Sequence, residues 1–217
     1  MSDAQKIAAT EGLLWGDKVK DSYFDVAERG MEGEWQSLVW PMLRAQSIDY
    51  SHTLDLAAGH GRNSVKLLRF AQNITIVDLN EENIAYCKKR FAGDNRFRFV
   101  KNDGVVIPDV DDNSITFFYT FDSMVHFDLE IVQSYVKEAF RVLVASGTAF
   151  FHYSNYVRAP GADFRTNPHW RNFMSISLFE HLALRAGFTI MASTTCSWAG
   201  IADLDAITLV RKPGSAP

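Results

Sequence analysis

The chain has 217 residues, a length that suits one α/β domain with a filled core. Its net charge of −4 leaves no basic footprint for a nucleic-acid partner, and no apolar run is long enough to span a bilayer. Cys87 and Cys196 have neither metal-ligand spacing nor a disulfide framework, and Met1–Lys6 lacks the basic-then-apolar start of a signal peptide, so the expected compartment is the cytoplasm.

Residues 1 to about 20 read as loosely ordered or weakly helical. From Asp21 to about Ala45, Met31, Trp35, Leu38, Val39 and Met42 recur on one helical face. This is a helix, or a pair of helices with a break suggested by Gly30 and Gly33. Tyr23, Phe24 and Trp35 either reach a crevice as a lid or fill the core. Thr53–Ala58 is an apolar strand that breaks into the turn Gly59-His60-Gly61 and a helix from Arg62 to Phe70. The run Asn73–Asn80 is a strand ending in a carboxylate, Asp78, ahead of a helix over Glu81–Phe91. Arg96–Lys101 alternates like an edge strand and leads to Asn102-Asp103-Gly104. Ile115–Phe121 reads as a central strand followed by Asp122–Phe127, a helix over Leu129–Leu143 and a turn at Ala145-Ser146-Gly147. Thr148–Tyr153 is the fifth strand, and residues 157–172 form a long polar loop, a length usually tied to function. A helix over Ser177–Ala186 stops at Gly187, and the strands Phe188–Thr195 and Asp205–Arg211 close the chain. No composition shift or repeat marks a second domain.

A glycine turn between strand and helix lets a ligand lie against the main chain, facing the N–H groups of the helix start. Two features speak against a dinucleotide. The third glycine of its fingerprint is missing, since Asn63 and Ser64 follow Arg62, and Asp55 would repel a pyrophosphate. A ligand with an ammonium group would suit that carboxylate. The order Asp55-Leu56-Ala57-Ala58-Gly59-His60-Gly61 resembles the first motif of class I S-adenosylmethionine-dependent methyltransferases, with Ala57 where the family most often has glycine. Asp78, Asp103 and the Phe121-Asp122 strand end follow in the family's order, and the resemblance covers roughly residues 50–212.

The resemblance implies an α/β fold: one doubly wound, mostly parallel seven-stranded sheet, helices on both faces, and one antiparallel strand near an edge. Residues 1–50 would form an N-terminal helical lid and 51–217 the methyltransferase domain. The cofactor would be S-adenosyl-L-methionine, with S-adenosyl-L-homocysteine as product. Asp55, Ala57, Gly59, Gly61, Arg62, Asp78, Leu79, Asp103, Gly104 and Phe121 would bind it, with Asp55 near its amino-acid end, Asp78 at its ribose and Asp103-Gly104 at its adenine. Asp78 has a second reading as a helix cap, for which Asn80 is better placed.

In methyl transfer the protein orients the acceptor and excludes water, and an oxygen acceptor must also lose a proton. His126, His152 and Asp122 are the catalytic candidates. His126 either touches substrate or shapes the pocket, and His152 faces either the ligand or the helical layer. Tyr153, Asn155, His169, Trp170 and Arg171 are the acceptor-binding candidates, with Arg171 either a clamp for an anionic group or a solvated loop residue. Trp15, Trp35, Tyr153, Tyr156 and Trp170 would suit a ring face. Asp122 and Asn155 stand where some relatives hold Mg²⁺, but one clear carboxylate falls short of what a hard cation wants, and no metal is expected. The expected acceptor is a small molecule bearing a hydroxyl, on a sugar or an aromatic metabolite. An N-methyltransferase, a nicotinamide-dependent oxidoreductase and a non-catalytic cofactor-binding subunit stay open, as does a homodimer.

Overall fold

A computed structural model describes residues 2–15 and 21–214. Of the two readings of the N-terminal stretch, the helical one holds over residues 3–15. Helix α1 (Asp3–Gly12) begins with a capping box in which Ser2 and Gln5 exchange side-chain and backbone bonds. A short 3₁₀ turn, Leu13–Trp15, follows it, and Gly16–Lys20 lie outside the described residues. Helix α2 (Asp21–Glu34) runs through Gly30 and Gly33 without a break. The break comes later, at a π-helical turn, Trp35–Val39, that leads into α3 (Trp40–Leu43). Pro41 explains the shift: its ring and missing N–H disrupt the α ladder, and the Trp40 N–H reaches back five residues to the Trp35 carbonyl.

The remaining elements alternate. They are β1 (His52–Leu56), α4 (Arg62–Leu67), β2 (Asn73–Asp78), α5 (Glu81–Arg90), β3 (Phe97–Lys101), β4 (Ile115–Thr120), α6 (Leu129–Val142), β5 (Leu143–Ser154), α7 (Ile176–Ala186), β6 (Thr189–Trp198) and β7 (Ile201–Arg211). One seven-stranded sheet has the order β3-β2-β1-β4-β5-β7-β6. The first five strands pair in parallel, and β7 runs antiparallel to both neighbours. Ala199 and Gly200, both at positive φ, form the tight turn of the β6–β7 hairpin.

All six residues of β4 are buried, as expected of a strand covered on both faces. Its side chains divide between two cores. Phe118 joins Leu54, Val77 and Phe151 beneath α6 and α7. Phe117 and Tyr119 join Ile74, Ile76 and Phe150 beneath α2 to α5, where Trp35 is 2% exposed and thus core, not lid. The strand order reverses between β1 and β4, so the crevice for a ligand opens beyond their carboxyl ends. Helices α1 and α2 lie across that opening. Among the described residues no helix is long and apolar enough to cross a membrane.

Candidate active site

The turn after β1 needs left-handed backbone, and Ala57, Gly59 and Gly61 all have positive φ. A side chain on Gly59 would start 2.8 Å from the Phe24 ring, and one on Gly61 2.7 Å from Phe91. The Gly59 N–H donates to Asp78 Oδ2 at 2.9 Å, while Asp78 Oδ1 accepts from the Asn80 N–H at 2.8 Å and the Asn83 amide at 3.1 Å. Asp78 thus ties the glycine turn to the start of α5. Asn80 does not cap that helix with its side chain, which donates instead to the Gly12 carbonyl at 3.1 Å. Burial pushes the Asp78 carboxyl up, and these donors oppose the push.

A cavity of about 990 Å³, part of it open to solvent, lies between these strand ends and the N-terminal helices. The β1 turn contributes Ala57, Gly59 and Arg62, and β2 contributes Asp78 and Leu79. Asn102 and Gly104 follow β3; Phe121, Asp122 and His126 follow β4. Glu11, Trp15, Tyr23 and Phe24 cover the opposite side.

Three polar groups of this cavity have distinctive surroundings. Arg62 donates to Asp122 at 2.5 Å, and to Glu34 and the Ala27 carbonyl at 2.9 Å each. Asn102 donates its amide to the Tyr135 hydroxyl at 2.7 Å, while its buried Oδ1 has no donor. His126 Nδ1 lies 2.8 Å from the Trp170 carbonyl, so that nitrogen carries the proton and donates it. Nε2 is left as an acceptor with no hydrogen-bond partner among the described residues. The ring stacks on Trp15 with centroids 4.5 Å apart. Burial, then the nearby Arg171 charge, brings the His126 pKa down to about 4, so the imidazole is neutral at ordinary pH.

Residues 53–147 match the family model of a methyltransferase domain. Over that stretch, which holds β1 to β4, the chain is similar to a methyltransferase domain. Solved structures share this fold at low identity. A S-adenosylmethionine-dependent methyltransferase from Mesorhizobium loti is 15% identical, with 84% of this chain and 100% of that one covered and a TM-score of 0.66. Geranyl diphosphate C-methyltransferase from Streptomyces coelicolor A3(2), solved with Mg²⁺, geranyl diphosphate and S-adenosyl-L-homocysteine, is 13% identical over 97% of this chain and 99% of that one, with a TM-score of 0.65. The [4+2]-cyclase SpnF is 17% identical over 87% and 82%, with a TM-score of 0.64, so one fold serves several chemistries. No curated protein matches the chain.

S-adenosylmethionine is the cofactor of such a methyltransferase domain, and the cavity residues fit it. The glycine turn leaves main chain bare, the Asn102 oxygen lacks a donor such as an amino group would bring, and Arg62 uses only three of its five N–H donors among the described contacts. The other expected cofactor residues sit elsewhere. Asp55 lies beneath the turn, outside the lining; Oδ2 accepts from Ser64 at 2.6 Å, Oδ1 has no donor, and burial raises its pKa to about 7. Asp103 turns away from the cavity to accept from Gln5 and from the Val105 and Val106 N–H groups. Asn102, one position earlier, faces the cavity instead. Gly61 shapes the turn without lining the cavity.

The acceptor set moves furthest. None of Tyr153, Asn155, His169, Trp170 and Arg171 lines the cavity. Tyr153 is buried against Phe179, with its hydroxyl 2.6 Å from Thr208. Asn155 is committed to the Ile176 N–H and the Asp203 carbonyl. His169 is exposed at φ 47°, and Trp170 sits behind Trp15, edge-on at 5.7 Å. Arg171 is 2% exposed and paired bidentately with Asp205. His152 is buried with both nitrogens engaged, which removes it as a base. Sequence reasoning missed Asn102, which directly precedes the expected Asp103, and Glu11, which had no motif to mark it. Burial first, then neighbouring carboxylates, raises the Glu11 pKa to about 7, and its Oε2 has no donor.

Proposed function

We propose that this domain methylates a hydroxyl on a small-molecule acceptor, a sugar or an aromatic metabolite, in the cytoplasm. Within residues 1–50, helix α1 and the start of α2 act as a lid on the body formed by 51–217, while Met31, Trp35, Val39 and Leu43 belong to the core. The observation that carries the reading is His126, whose Nε2 is an open acceptor on a cavity wall shared with the rings of Trp15, Tyr23 and Phe24. When bound, S-adenosylmethionine supplies a methyl group on a positively charged sulfur. In this reading Asp78 and Leu79 face its ribose, Asn102 and Gly104 its adenine, and Arg62 with the glycine turn its amino-acid end. Trp15, Tyr23 and Phe24 exclude water and offer ring faces to the acceptor. His126 takes the hydroxyl proton at Nε2, and the Trp170 carbonyl holds its tautomer.

A second reading, a nitrogen acceptor, is favoured by the low basicity of His126, because a neutral amine needs no base before it attacks. A panel of phenols, sugars and amines, assayed for S-adenosylhomocysteine release, separates the two. Methylation of amines alone replaces the hydroxyl reading. His126→Asn should lower turnover on a hydroxyl acceptor about 100-fold or more, with S-adenosylhomocysteine affinity unchanged by calorimetry. Retained turnover removes the base role.

A further inference from the structure

Asp122 lines the cavity at φ 57°, in the left-handed region that favours glycine. A non-glycine residue persists there only where its surroundings over-determine it. From the cavity side, Arg62 at 2.5 Å and the Tyr23 hydroxyl at 3.3 Å hold the Asp122 carboxylate. From beneath, the Asp122 N–H donates to His152 Nδ1 at 3.0 Å. Because Nδ1 accepts, the imidazole proton sits on Nε2, which faces Asp205 Oδ2 at 3.3 Å. Asp205 in turn receives Arg171 at 2.8 and 2.6 Å, and Arg171 lies over the Trp198 ring at 5.1 Å. Burial alone would raise the Asp205 carboxyl, but the bonds from His152 and Arg171 outweigh it and hold the group below its ordinary value. The rings of Phe121 and Trp198, 4.5 and 5.5 Å away, pack on the imidazole and limit its rotation.

We propose that His152 is a positioning residue for the amino-acid end of the cofactor. It fixes Asp122 in its left-handed bend and, through the Asp122 carboxylate, aims Arg62 into the cavity. The role rests on the cofactor assignment and is independent of which atom accepts the methyl group.

Calorimetry with S-adenosylhomocysteine tests it. His152→Leu removes the acceptor for the Asp122 N–H and should weaken affinity about tenfold. His152→Gln keeps an oxygen able to accept that N–H and should recover most of the loss. Phe179→Leu, a core change on the opposite face of β5, should lower Tm and leave affinity as in the wild type. Equal affinity of His152→Leu and wild type overturns the proposal, as does an equal loss in Phe179→Leu. A wild type that does not bind the probe brings down the cofactor assignment and this role with it. Nitrogen-15 NMR of the unaltered protein adds a check free of folding effects: Nδ1 of His152 should be unprotonated and Nε2 protonated, and the reverse tautomer overturns the proposal.

Discussion

The Asp78 carboxylate accepts the Gly59 N–H on one oxygen and two donors from the start of α5 on the other. Asp78→Ala therefore has two consequences. Affinity for S-adenosylhomocysteine should fall more than about tenfold, from the loss of a charged acceptor for the ribose. Stability to urea should fall by about 1–3 kcal/mol, because two backbone N–H groups lose their partner. A variant with unchanged affinity and lowered stability would make Asp78 a cap alone. The position of this carboxylate was legible, because a run of Ile and Val ending in Asp marks the ligand edge of a sheet. Its neighbour after β3 was not. Asn102 and Asp103 are adjacent in sequence, and a single step along the chain decides which one faces the cavity. That step follows from α1, whose Gln5 draws the Asp103 carboxylate outward.

The N-terminal helices are tied to the body at separate points. Gln5 meets Asp103, the Gly12 carbonyl meets Asn80, Glu28 meets Arg90, and Glu34 meets Arg62. The Phe24 ring lies 3.7 Å from His60, which stacks at 3.8 Å on Tyr86 of α5. The partly exposed Glu28–Arg90 pair contributes little, whereas the Glu34–Arg62 pair is largely shielded from solvent, and the aromatic contacts add to the closure. Phe24→Ala should speed release of S-adenosylhomocysteine about tenfold in stopped flow, as estimated from losing a half-buried aromatic stack; an unchanged rate would detach these helices from gating. Helical periodicity predicted α2 from its buried face, but the break was misplaced because two glycines cost a helix less than one proline. The acceptor wall was misjudged for a related reason. The rings of the 157–172 loop looked available in sequence, yet the chain buries Phe164 and Arg171 and turns Trp170 against Trp15.

Across the whole molecule the doubly wound sheet was legible from the alternation of strands and helices, the single antiparallel strand only from the family resemblance, and the strand order not at all. The ion pair between Arg171 and Asp205 was not legible either, since 34 residues separate them and no local pattern links them. Buried ionisable groups also set the pH dependence. Glu11 and Asp55 have pKa values raised to about 7, so the folded form keeps protons that the unfolded chain has released. Their contribution is complete below their ordinary values near 4 and is lost as pH rises towards 7. His126, lowered to about 4, acts the other way and loses its contribution as pH falls from 6.5. Two carboxyls outweigh one imidazole, so thermal scans without cofactor should show a higher Tm near pH 5 than at pH 7.5, and the reverse order would contradict these assignments. The connected series Trp198, Arg171, Asp205, His152, Asp122, Arg62 and Glu34, buried at Arg171, Asp205 and His152, runs from the last hairpin to the second helix. The family match ends at residue 147, so Trp198, Arg171, Asp205 and His152 all lie beyond it. A fragment lacking β6 and β7 would strand Arg171 without its counter-charge and His152 without the acceptor for its Nε2 proton, and the damage would surface at the far end of the molecule, where the first helices meet the body.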